Sequence, residues 1–165
     1  MLLWMVVLRC TRDLLRRMMP AAGSPPPSTT VLGDFYATLI VRRPAHLILC
    51  VSARTLLPVV VPAAPLSGFA PRFRSAVMNM LRSLGIAEPA VVTEGHEMNE
   101  LCVARTESRQ ILGSMNDFQR MLPHHLDQGE SLLDASLKLA EAPCGPIGMA
   151  SPARATRELL RLAQT

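Results

Sequence analysis

Between Asp34 and Pro62 the chain carries three apolar runs with almost nothing between them: DFYATLIVRR (34–43), HLILCVSA (46–53) and TLLPVVVP (55–62). Each is short and rich in Val, Ile, Leu and Thr, the mark of a strand with a buried face. RRPA (42–45) is a turn, so the first two runs form an antiparallel hairpin. The third follows by a short link and completes a meander. Pro58 lies inside that third run and cannot donate to a ladder, which places it at an edge or a bulge. A sheet of this kind needs cover, and the flanking sequence has to supply it.

Helical spacing appears on both sides. WMVVLRCT (4–11) reads as a further buried strand, after which Thr11 caps a helix over RDLLRRMM (12–19) that Pro20 stops. Downstream, Phe73, Val77, Met80, Leu81 and Leu84 share one face of a helix over about 70–84, with Pro71 in its first turn and Gly85 after its end. PAVVTEG (89–95) and ELCVART (100–106) read as two short strands. A helix over about 107–122, capped by Thr106 or Ser108, carries Ile111, Met115, Phe118 and Leu122 on one face. ESLLDASLKLAEAP and PARATRELLRLA read as the last two helices. The expected fold is α+β: a small, mainly antiparallel sheet, a meander, covered by about four to five helices. The expected organisation is one domain, 1–165, with a mobile Pro/Ser-rich loop at about 20–31 and a C-terminal helical part over about 130–165.

Several stretches are similar, in order, to a known family. They are LRCT ahead of a short helix, LGDFYATLI, LILCVSARTLLPVVVP, and RTESRQILGSMNDF. The chain resembles, over about residues 8–126, a family of small bacterial proteins that is a domain of unknown function. Its members look like L-R-C-T-x-K-L-L, L-G-D-W-Y-A-N, a strand pair with N-x-x-T-L, and T-x-N-R-S-V-L-G-S-M-N-D. L-G-S-M-N-D is the most specific of these strings. Phe35 replaces the family's Trp, Thr38 its Asn, Ser52 a further Asn, and Glu107-Ser108-Arg109-Gln110 stands for x-N-R-S. The resemblance implies a fold and a kinship, and no activity.

Composition excludes more than it assigns. Of the 17 basic residues only Lys138 is a lysine, and the net charge is +4. That excess favours solubility and weak attraction to polyanions without specifying either. The four cysteines, Cys10, Cys50, Cys102 and Cys144, have no C-x-x-C spacing, so neither zinc nor thioredoxin-like chemistry is indicated. Most sit in or beside apolar runs, as buried reduced thiols do. A reducing cytoplasm is the expected compartment. MLLWMVVLR has about eight apolar residues with its basic residues after them, the reverse of a signal peptide, and a membrane span needs ~20. Membrane insertion is therefore not expected. LRCT looks more like the natural beginning than the residues before it.

Chemistry has few places to sit. Gly113-Ser114 and Asn116-Asp117 are weak helix formers inside a helix, and Gly costs about 1 kcal/mol there relative to Ala. The structural reading has Gly113 admitting a neighbouring backbone, with Asn116 and Asp117 bonding its polar groups. The functional reading is a polar pocket with Asp117 as acid, base or anchor, joined by Asn116, Tyr36 and Arg109 as catalytic candidates. Tyr36 is the only tyrosine, and its hydroxyl would meet Asp117 or Arg109. Arg9, Arg12, Arg16 and Arg17 are the densest basic cluster and the candidates for contact with nucleic acid. His124 and His125 point about 100° apart on a helix and cannot share one metal from one face. His46 and His96 have no metal-ligand pattern. No metal or cofactor is expected, since no Gly-rich phosphate loop, G-x-S-x-G or EF-hand loop occurs. The expected role is a binding or protein-interaction module, with a homodimer or another protein as partner. The alternatives are a metal-independent hydrolase or transferase around Asn116/Asp117, and a weak nucleic-acid binder.

Overall fold

A computed structural model describes residues 3–165. Met1 and Leu2, which open the apolar N-terminal run, lie outside the described residues. The chain order is β1 (Met5–Cys10), α1 (Arg12–Arg17), β2 (Phe35–Ile40), β3 (Leu47–Ser52), β4 (Pro58–Pro62), α2 (Phe69–Ser83), α3 (Glu88–Glu97), β5 (Glu100–Arg105), α4 (Arg109–Asp127), α5 (Leu132–Leu139) and α6 (Pro152–Ala163). The fold is α+β, with a five-stranded sheet and six helices among the described residues.

The meander is present: β2 pairs β3 from Phe35↔Ser52 to Ile40↔Leu47, and β3 pairs β4, both antiparallel. The sheet as a whole departs from expectation. Its order is β4-β3-β2-β1-β5, and β1 lies parallel to both β2 and β5. It is therefore mixed, with β3 alone running against the rest. Each parallel pairing needs a crossover, and helices supply both: α1 between β1 and β2, then α2 and α3 between β4 and β5. The helix count also exceeds the expected four to five, because PAVVTEG (89–95) belongs to α3 and not to a strand.

Two faces are buried. On one, Leu8, Phe35, Ile48 and Val59 from the sheet pack with Leu14 of α1, Phe73 and Met80 of α2, Val91 of α3 and Leu160 of α6. On the other, Tyr36, Leu49, Val51 and Val60 pack with Met115 and Phe118 of α4 and Ala135 and Leu139 of α5. Val7, Cys102 and Ala104 form a small third cluster.

Both sheet edges are engaged. β4 is an edge strand, as Pro58 predicts, but α5 lies against it. Val60 N–H donates to Ser136 Oγ at 3.0 Å, a donor that would otherwise wait for another strand. On β5, Val103 C=O accepts from Ala21 N–H at 3.1 Å. The Pro/Ser-rich segment expected to be mobile is tied to the sheet there and at β1. Thr29 N–H donates to Met5 C=O at 2.8 Å and Val7 N–H to Ser28 Oγ at 2.8 Å.

Candidate functional site

Helix α4 begins where the sequence says. Ser108 Oγ accepts from Ile111 N–H at 3.2 Å and satisfies one free donor of the first turn. It runs past the predicted end at 122, through Pro123 to Asp127. Proline removes one backbone bond. Pro123 is exposed, while Leu122 stays buried and Leu126 packs on the core, so apolar contact carries the last turn.

At about 100° per residue, Ile111, Met115, Phe118 and Leu122 define a stripe that faces the sheet. Gly113 lies nearly opposite it, and Asn116 and Asp117 well off it, and all three are exposed. This corrects the expectation of a backbone close approach: a Cβ added at Gly113 would meet nothing within 4 Å. Asp117 pairs only with Arg120 one turn on, at 3.4 Å, with side chains 68% and 78% exposed. Asn116 and Asp117 make no hydrogen bond to a strand among the described residues.

Asp117 does line a groove of about 390 Å³ between α4 and the 142–146 loop, with Ser114, Arg120 and Cys144. Burial, then the charge of Asp117, raises the Cys144 thiol above its ordinary value. That is the wrong direction for a nucleophile, whose thiolate must be populated. Among the described residues no hydrogen bond joins Asp117 to Ser114 or to Cys144, whose Sγ is directed instead to Ala142 C=O at 3.5 Å.

Tyr36 is buried among Leu49, Met115 and Phe118. It is hydrogen-bonded to neither Asp117 nor Arg109 among the described residues. In the sheet it lies beside Arg9. Arg9 Nε donates to Asp34 Oδ2 at 2.7 Å, and its Nη1 donates to Arg105 C=O at 2.9 Å and approaches Glu107 at 3.3 Å. Burial opposes the charge on Arg9, but the hydrogen bond and field of Asp34, with Glu107 behind, outweigh it and raise its pKa. The expected basic cluster is thus divided. Arg9 is 12% exposed and committed within the fold. Arg16 pairs loosely with Asp13 at 3.9 Å on an exposed surface, and Arg17 is exposed. Arg12 is exposed one turn before Arg16 on the same helix.

Arg12 belongs to a different arrangement. β1 and β5 are adjacent and parallel. The helix after β1, α1, packs on one face of the sheet, and the helix after β5, α4, on the other. Chains leaving two neighbouring carboxyl ends in opposite directions open a crevice, the position where open sheets with parallel strands bind ligands. A pocket of about 330 Å³ occupies it, lined by Cys10, Arg12, Leu15, Arg105 and Thr106. A second, of about 380 Å³, adjoins it through Arg105, under Pro20–Pro25. Neither Arg12 nor Arg105 has a carboxylate within 4.0 Å among the described residues. Arg109, the first residue of α4, is exposed and also unpaired among them. Sequence reasoning missed Arg105 and Thr106. Their only signal was their place at the end of an apolar run, and it becomes informative once β5 is known to lie parallel to β1.

The histidines make local contacts. His125 Nδ1 approaches Glu130 Oε2 at 3.4 Å, His46 Nδ1 bonds Arg42, and His96 packs on Trp4 with centroids 4.0 Å apart and the rings tilted by 52°. Among the described residues no group of three or more His, Cys, Asp or Glu is placed to hold a metal ion. Nor is any helix there long and apolar enough to cross a membrane. All four cysteines are free and buried. Burial pushes the Cys10 thiol up to about 12.

A family model described as Domain of unknown function (DUF6933) matches residues 7–155, reaching beyond the L-G-S-M-N-D helix into α6. No curated protein and no solved structure matches the chain.

Proposed function

The chain belongs to the DUF6933 family of domains of unknown function, and we propose that it acts there as a binding module for a small phosphate-bearing molecule. The site is the crevice beyond the carboxyl ends of β1 and β5. The observation that carries the reading is the pair Arg12 and Arg105, two cations without ionic partners lining one pocket. A guanidinium offers two parallel N–H donors to a phosphate, and two such groups around one cavity favour an anion over a neutral ligand. Thr106 adds a hydroxyl, and Cys10 and Leu15 give the pocket an apolar wall.

The reading takes the chain as one domain in a bacterial cytoplasm, where phosphorylated metabolites and reduced thiols belong together. It is preferred to the nucleic-acid alternative because Arg9, one of the four arginines of that cluster, is committed to Asp34 within the fold. It also leaves aside the enzyme alternative. Asp117 is exposed, and neither Tyr36 nor Arg109 is hydrogen-bonded to it among the described residues.

Calorimetric titration with pyrophosphate at low salt tests the proposal. Arg12→Ala and Arg105→Ala alter exposed side chains and leave stability within about 0.5 kcal/mol. Each is expected to weaken binding by about tenfold or more, with further loss as salt rises. Absence of pyrophosphate binding, or affinity indifferent to both substitutions, overturns it.

A further inference from the structure

A second cleft lies away from the crevice, between α3 and α6. It has a volume of about 350 Å³, its walls are mostly apolar, and they include Val31, Ala90, Leu160 and Ala163. At its inner end is Glu94, whose side chain is almost wholly buried, with the residue 1% exposed. Glu94 Oε2 accepts from Val31 N–H at 3.0 Å and Oε1 from Leu32 N–H at 3.2 Å. Each oxygen therefore keeps a free lone pair.

What Glu94 lacks is a counter-charge. No basic group lies within 4.0 Å of it among the described residues. Arg54, whose field reaches it, donates its own Nη1 to Val31 C=O at 2.9 Å. Glu97, one turn along α3, adds further negative potential and keeps its Oε2 buried without a hydrogen-bond partner. Ala163 and Gln164 bring the carbonyl end of α6 to the same cleft, a third source of negative potential. The cations nearby, Arg157 and Arg161, line an adjoining hollow of about 290 Å³, and Arg157 Nε is engaged with Leu84 C=O at 2.9 Å.

We propose that the cleft between α3 and α6 binds a small apolar molecule carrying a primary ammonium group, with the alkyl part against Ala90 and Leu160 and the ammonium on Glu94. A buried carboxylate without a counter-charge is costly, and a cation reaching it from an apolar cleft relieves that cost. Burial raises the Glu94 pKa despite its two N–H donors, as expected of a carboxylate lacking a cation. The ammonium also fills lone pairs that the backbone leaves free. This site shares no lining residue with the arginine crevice and stands or falls separately from it.

The test uses n-hexylamine, n-hexanol and hexanoate as probes, with binding to the full chain followed by calorimetry. Hexylammonium is expected to bind about tenfold more tightly than hexanol, and hexanoate not at all. Glu94→Gln should remove that preference, and Ala90→Leu, which fills the cleft and keeps Glu94, should abolish binding. If Glu94→Gln fails to fold, Ala90→Leu decides alone. Arg105→Ala should leave hexylammonium binding unchanged. Equal binding of hexylammonium and hexanoate, no binding of hexylammonium, or binding that survives Ala90→Leu overturns the proposal.

Discussion

Helices α3 and α4 carry the same unusual pair, a glycine and an acid close together, and treat them in opposite ways. In α4 Gly113 and Asp117 face water. In α3 Glu94 and Gly95 are buried and Gly95 sits against Met78, where an added Cβ would lie 2.5 Å from the Met78 sulfur. A close approach does occur at Gly95, but from the Met78 side chain and not from a backbone as expected at Gly113. Helical phase decides. In α4 the stripe of Ile111, Met115, Phe118 and Leu122 is complete without the polar residues. In α3 the inward positions are Val91, Glu94, Gly95 and Met98, so the polar residue and the glycine themselves form the stripe. An odd residue in a helix is informative only relative to the direction that the apolar residues set.

The largest effect that sharpens this contrast is at the two acids. Glu94→Ala leaves the N–H groups of Val31 and Leu32 without acceptors in the interior, at about 3 kcal/mol. Asp117→Ala removes an exposed pair with Arg120 and should change stability by less than about 0.5 kcal/mol. Urea unfolding of both variants measures the difference. Equal effects would break the comparison.

Next in size are the glycines. Gly95→Leu places a large side chain where Met78 already lies, and overpacking of this kind costs about 2 kcal/mol. The midpoint of denaturation should fall while the dependence on denaturant stays constant. An unchanged midpoint would mean that α3 shifts freely on α2.

The buried acid also predicts a pH dependence. Burial is the largest influence on Glu94 and raises its pKa above the ordinary 4.5. The folded chain then holds that proton more tightly than the unfolded chain. Its contribution to stability is fully present below about 4.5 and is lost as pH rises through the folded value. Relative to Glu94→Gln, which does not titrate there, the native chain should lose stability as pH rises from 4.5. A difference that is flat with pH, or that grows, would sink this assignment.

The legible parts of the fold were those set by neighbours in sequence. The hairpin of β2 and β3, the edge position of β4, the inner face of α2 and the cap at Ser108 follow from local pattern. The pairing of β1 with β5 does not, because it closes only after α2 and α3 have crossed the sheet, and no local residue encodes a partner so far along the chain. α3 was misread because Val91, Val92 and Thr93 are β-branched, which favours a strand locally. Packing of Val91, Glu94 and Gly95 against the core overrides that preference. The crevice inherits the same difficulty. Arg12 stood out within a basic cluster, but Arg105 and Thr106 acquire meaning only from the parallel pair. The solvated face of α4 was legible in principle, since its apolar stripe fixes where Gly113 and Asp117 must point.

The smallest expected effect is also the most discriminating for α4. A glycine retained for close approach resists any added atom, whereas one in open solvent only loosens its helix. Gly113 is of the second kind, with its own Cβ position empty to 4 Å. Gly113→Ala should therefore stabilise the chain by about 0.8 kcal/mol, the helix-propensity difference between the two residues. Thermal unfolding reads this as a small rise in midpoint. A fall instead would mean that something docks on this face of α4 in solution. The L-G-S-M-N-D string would then mark a contact surface, and its glycine would be held there by a partner and not by the fold.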